Sequence, residues 1–156
     1  MNTVEIRPPG DRQLNKKPPE MLSIWIVDRA PNAAEHVGSL LRNAGLRVRT
    51  RHVPNGASLA QALAGDRPDL LICPESGGPV SLEEAVEQTK VCQPPIPVVA
   101  LGEAPDAPRM AHALALGAVQ LIDGATGELL AVIALRELAR TQEAQQHMAL
   151  GQEIGG

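Results

Sequence analysis

Pro68-Asp69-Leu70-Leu71-Ile72-Cys73-Pro74 decides how the rest of the chain is read. Four apolar residues stand in a row between an acid and a proline. A run that short, with no polar alternation, fits a strand buried on both faces, as in a parallel sheet. Upstream, Ile24-Trp25-Ile26-Val27 is a second such run, stopped by Asp28. Between the two, Pro31 and Asn32 open a helix in which Val37, Leu40, Leu41 and Ala44 share one face, and Gly45 closes it. Arg47-Val48-Arg49-Thr50-Arg51 alternates, which predicts an edge strand with one wet face. Arg47, Arg49, Arg51 and His52 read first as that solvated edge and second as an anion site. Pro54-Asn55-Gly56 is a turn, and Leu59, Ala62 and Leu63 mark a short helix ending near Gly65.

Downstream of Pro74, Ser76-Gly77-Gly78-Pro79 is a loop. Ser81-Leu82-Glu83-Glu84 has the capping-box pattern, predicting reciprocal hydroxyl and carboxylate bonds at the start of a helix that runs to about Val91. Ile96-Pro97-Val98-Val99-Ala100-Leu101 is the fourth strand, closed by Gly102. Asp106 can cap the next helix, with Pro108 in its first turn and Met110, Ala113 and Leu114 on its inner face. Gly117-Ala118 leads into a fifth strand, Val119-Gln120-Leu121-Ile122. Asp123-Gly124 turns, Thr126 can cap, and a long helix runs from about Gly127 to beyond Arg140. Strand and helix alternate five times. That pattern predicts an α/β, flavodoxin-like (βα)5 fold, with a parallel five-stranded sheet of order 2-1-3-4-5. In such a sheet the chemistry sits beyond the carboxyl ends of the strands, here Asp28, Pro74, Gly102 and Gly124.

The chain of 156 residues divides into a flexible tail with prolines among charged residues (1–20), a folded domain (21–140) and a helical extension or linker (141–156). Lys16 and Lys17 in the tail read as solvated. One Trp and no Phe or Tyr leave an aliphatic core and no aromatic platform for bases, and the net charge of −4 opposes a phosphate footprint. A nucleic-acid partner is therefore not expected. Cys73 and Cys92 form no metal-ligand pair and read as buried thiols. The N-terminus lacks the apolar core of a signal peptide, and no run nears the roughly 20 apolar residues of a membrane span, so a cytoplasmic protein without membrane insertion is expected.

Ile26-Val27-Asp28, Pro68-Asp69-Leu70-Leu71-Ile72, Ile96-Pro97-Val98-Val99-Ala100-Leu101 and Leu114-Ala115-Leu116-Gly117-Ala118 together resemble a response-regulator receiver domain over roughly residues 22–140. The resemblance implies a site made of an acidic pair, an aspartate nucleophile, a hydroxyl and a lysine. This chain departs from it at each position. The acidic pair is Asp28-Arg29, the nucleophile position holds Pro74, the hydroxyl position Gly102 and the lysine position Gly124. Phosphoryl transfer needs an anionic nucleophile and a cation held by several oxygens. Glu75 lies one step along, where a strand turns its side chain to the opposite face. Asp28, nearly alone, reads as a turn or cap residue able to pair with Arg29. No catalytic, cofactor-binding or metal-binding residue is expected, and the chain reads as no enzyme.

Within that family, Ser39-Leu40-Leu41-Arg42-Asn43-Ala44-Gly45, Pro74-Glu75, Ala113-Leu114-Ala115-Leu116-Gly117-Ala118 and Arg136-Glu137-Leu138-Ala139 resemble the N-terminal receiver domain of FimX-type proteins. Such proteins continue into PAS, GGDEF and EAL domains, bind cyclic di-GMP through the EAL domain and support type IV pili and twitching motility. The resemblance implies an interaction module tied to polar localisation. In the last helix, Leu130, Ala134 and Leu138 can dock on the sheet, while Leu129, Val132 and Leu135 form a surplus apolar line. With Arg136 and Arg140 they are the candidate partner surface, for a homodimer or another protein. The competing readings are an atypical phosphoacceptor receiver and a small flavodoxin-like ligand-binding protein. For the latter, Ser76-Gly77-Gly78 is the sole phosphate-loop candidate. His36, His52, His112 and His147 fall on separate elements, which argues against a metal site.

Overall fold

The computed structural model describes the backbone of residues 21–124 and 127–155, and side chains as far as Gln146. The expected tail (1–20) and the Thr126 cap lie outside the described residues. The elements run β1 (Leu22–Val27), α1 (Asn32–Asn43), β2 (Val48–Val53), α2 (Gly56–Gly65), β3 (Leu70–Pro74), α3 (Leu82–Lys90), β4 (Val98–Leu101), α4 (Ala107–Leu116), β5 (Gln120–Ile122) and α5 (Gly127–Gly155). The strands are all parallel and lie in the order β2-β1-β3-β4-β5, as the alternation predicts.

Side-chain alternation along each strand splits the core in two. Trp25, Val27, Leu71, Cys73, Val98, Ala100 and Leu121 pack with Leu59, Val86 and Ala113 under α2, α3 and α4. Ile24, Ile26, Leu70, Ile72, Val99 and Ile122 pack with Val37, Leu41, Leu130 and Ala134 under α1 and α5. This is why Ile24–Val27 of β1 and Leu70–Cys73 of β3 are apolar without interruption: each of these residues faces one helix layer or the other. Trp25 is 1% exposed, and the Arg51 guanidinium lies over its ring, 5.0 Å from the centroid. The arginine edge is thus partly a cation–π contact.

Local chemistry sets the helix ends. Gly45, at φ +100°, donates its N–H to Arg42, and Leu46 donates to Leu41, closing α1 with paired bonds that use its last carbonyls. Asn55, read as a turn residue, also caps α2 by accepting from Ser58 N–H. Asp106 caps α4 by accepting from Arg109 N–H. The capping box at α3 needs correction. Ser81 Oγ accepts from Glu84 N–H, but the Glu84 carboxylate takes a bond from Gln88 Nε2 at 3.2 Å and lies beside Gly56, at the start of α2. That position near a helix N-terminus favours an anion. β4 begins at Val98, two residues after Ile96 where its apolar run starts. Pro97 has no N–H for the ladder, although its carbonyl still accepts from Leu71. α5 runs unbroken from Gly127 to Gly155, so residues 141–155 continue this helix.

The central strand sets a first expectation. Leu71 is 0% exposed, and truncating it leaves a cavity that close-packed neighbours cannot fill. Leu71→Ala should lower unfolding free energy by about 3 kcal/mol. Urea titration followed by the emission of Trp25 checks this; a loss below about 1 kcal/mol would contradict the packing described.

Candidate functional site

The sheet register brings the sequence-selected positions together. Ile26 is paired with Ile72, so Asp28 and Pro74, each two residues on, emerge level with each other. Pro74 is paired with Leu101, and Leu101 with Ile122, which brings Gly102 and Gly124 to the same rim. Asp28, Pro74, Gly102 and Gly124 line one cavity of about 450 Å³, floored by Ile26, Val37, Ile72 and Leu101. His36 of α1, Glu103 and Asp123 also line it. None of these three stands out as a rim residue in the sequence. An acid directly after a strand-closing glycine, and another in the Asp123-Gly124 turn, were the available signals.

Each position has a structural occupation. The Asp28 carboxylate accepts from Ala30 N–H at 2.9 Å, so it holds the turn into α1. The Asp28 carbonyl meets His52 Nε2 at 2.6 Å. Arg29 is not paired with Asp28. Its guanidinium donates to the carbonyls of Gly77 and Gly78 at 2.7 and 3.4 Å, strapping the loop after β3 to the end of β1. Those carbonyls of the Ser76-Gly77-Gly78 loop face a cation, an arrangement opposite to that of a phosphate-binding loop, which presents amides. Asp28 has more acidic company than expected, in Glu103 and Asp123. Even so, among the described residues no three His, Cys, Asp or Glu side chains converge as metal ligands would. Cys73, beside Pro74, points into the opposite core layer, and burial pushes its thiol up to about 12. It supplies no thiolate at neutral pH.

Glu75 leaves the strand on the other face, as alternation requires, and grips Arg109. Arg109 Nε donates to Glu75 Oε2 at 2.8 Å and Nη2 to Oε1 at 2.5 Å, a bidentate pair. Arg109 Nη1 donates to the Ala104 carbonyl at 3.1 Å, and Ala104 sits at φ 42°, where a side chain is disfavoured. The pair thus ties the end of β3, the loop after β4 and the first turn of α4 into one unit. Gly102 lies against it. A Cβ there would run into Glu75 Oε1 and Arg109 Nη2, so the position has no room for a hydroxyl-bearing side chain while the pair is intact.

The other candidate surface is α5. Leu130 and Ala134 are buried and Leu138 packs at the edge of their cluster. Leu129, Val132 and Leu135 are 44%, 61% and 45% exposed. Glu137 is buried at 4% exposure, with Arg140 Nη1 at 3.2 Å and Arg136 Nε at 3.6 Å from Oε2. Arg136 and Arg140 therefore have structural partners as well as solvent. Among the described residues, no helix is long and apolar enough to cross a membrane.

No protein-family model matches the chain, and no curated protein matches it. Solved structures do. The signal receiver domain of a signal transduction histidine kinase from Syntrophus aciditrophicus is 28% identical over 75% of this chain and 89% of that one, with a TM-score of 0.60. The receiver domain of a Francisella response regulator superposes at 0.63 with 12% identity, over 77% of this chain and 98% of that one. Full-length FixJ from B. japonicum matches at 0.64 with 20% identity, over 85% of this chain and 65% of its own length. The chain has the fold of a receiver domain.

The Glu75–Arg109 pair makes a pH prediction. The hydrogen bond from Arg109 is the main cause holding the Glu75 carboxyl below its ordinary range. A carboxyl whose pKa is lower folded than unfolded stabilises the fold above the unfolded value, about 4.3, and stops doing so as pH falls through the folded one. The urea midpoint should therefore drop on acidification below pH ~4.3 more steeply in wild type than in Glu75→Gln. Because both groups are partly exposed, the difference should be modest. Parallel pH profiles would contradict the pair's contribution.

Proposed function

We propose that this chain is a receiver-type signalling module that does not accept phosphate and acts by contact with other proteins. The observation that carries the proposal is Pro74, at the end of β3 and in the wall of the rim cavity. An imino acid there offers no oxygen to attack phosphorus. The surroundings support the same reading. Arg29 is spent on loop carbonyls, Gly102 and Gly124 carry no side chain, and the Glu75 carboxylate is held by Arg109 on the other face. The module is no enzyme and needs no cofactor for this role.

Contact is assigned to α5, through Leu129, Val132 and Leu135 with Arg136 and Arg140, whose exposed apolar atoms gain most from being covered. A second copy of the chain is the first partner considered. Following the resemblance to FimX-type proteins, the module is read as the N-terminal part of a cyclic di-GMP effector, with PAS, GGDEF and EAL domains after it. It would be cytoplasmic, placed at the cell pole, and would act in type IV pilus and twitching-motility control. Domain limits of 21–140, with 141–156 leading onward, belong to the same proposal, and the unbroken course of α5 supports a helical connection.

Light scattering over a concentration series tests the contact. Wild type should show mass rising with concentration, and Leu135→Glu should lower association at least about tenfold, the equivalent of about 1.4 kcal/mol. Equal behaviour of the two would remove α5 as the contact surface.

A further inference from the structure

We infer that two copies of this chain pair their α5 helices antiparallel, with a twofold axis passing at Val132; this rests on the contact role proposed for α5 and fixes its partner and register. The exposed residues of the first turns read Glu128, Leu129, Val132, Leu135 and Arg136. Leu129 and Leu135 are each three residues from Val132, and Glu128 and Arg136 are each four away. Between them, Leu130, Ala131, Ile133 and Ala134 are buried in the chain's own core, so they are unavailable to a partner. The outward surface is thus symmetric in shape about Val132 and opposite in charge at its two ends.

That combination is what an isologous interface requires, since each surface element must meet its counterpart under rotation. About a twofold at Val132, Val132 meets its own copy, Leu129 meets Leu135 of the second copy, and Glu128 meets Arg136 of the second copy. The whole motif runs over nine residues, 128–136, about 12 Å of helix from end to end. Glu128 has no ion pair among the described residues. Arg136 is 54% exposed and shares the Glu137 carboxylate with the nearer Arg140, so it retains donors for a second acid. A parallel pairing sets Glu128 against Glu128 and Arg136 against Arg136, which repels at both ends. An unrelated partner would have no need of the symmetry.

Sedimentation of the 156-residue chain in a dilution series tests the register. Glu128→Arg and Arg136→Glu should each weaken the dimer about threefold to tenfold, and the double reversal should restore it to within about twofold. These sites are solvent-exposed, and unchanged Trp25 emission checks that each variant is folded. In a Cys92→Ser background, a mixture of Leu129→Cys and Leu135→Cys chains should crosslink, whereas Leu135→Cys alone should not. A double reversal as weak as the singles, or a Leu135→Cys homodimer, overturns the register and leaves the contact role of α5 standing. A dimer indifferent to Val132→Glu overturns both. A chain that stays monomeric at its solubility limit overturns the pairing and leaves a different protein as the partner of α5.

Discussion

Parallel pairing of β1, β3 and β4 in one register is the constraint on which the rest of this molecule depends. It is set by unbroken apolar runs that must face helices on both sides, and it leaves no freedom in where the strands end. Once Ile26 stands beside Ile72 and Pro74 beside Leu101, Asp28, Pro74 and Gly102 share one rim. The core thus fixes which residues meet at the carboxyl ends of the strands. Side chains at this rim lie beyond the core, and they make fixed local bonds. Asp28 holds a turn, Arg29 holds a loop and Glu75 holds α4.

These bonds bear on dynamics. A receiver that switches needs two arrangements of its rim loops close in free energy. Here the loop after β3 is tied at one side by Arg29 and at the other by Glu75, and Gly102 allows the second tie to lie flat against β4. No one tie is worth much at a partly exposed site. Together they restrain the same loops from both faces. Beyond the rim, α5 leaves Leu129, Val132 and Leu135 exposed, more apolar surface than covering the sheet requires. The charged residues around Glu137 contribute through packing and local pairing, and they set off the apolar stripe from its surroundings.

Much of the fold was legible in the sequence because its signals are physical and local. The strand runs, the Gly45 and Asp106 caps and the spacing of Leu130 and Ala134 each state a burial requirement that has one simple solution. The rim positions were also legible, since strand ends follow from strand identity. The ion pair was not. Glu75 and Arg109 are 34 residues apart, and their meeting depends on how far α4 leans over the end of β4. Nor did the pattern show that Glu84 would serve α2 and Gln88 in preference to its own cap, because one carboxylate has several neighbours only in three dimensions. Glu103 and Asp123 look like loop residues in sequence and become cavity walls through the β4–β5 register.

The most direct test is the intact mass of the 156-residue chain after incubation with acetyl phosphate and magnesium, beside a receiver domain of known competence. The account predicts no added phosphoryl group on this chain while the control is modified. A stoichiometric, acid-stable and base-labile phosphoryl adduct would contradict it, since some carboxylate would then be reaching phosphorus despite Pro74 at the end of β3.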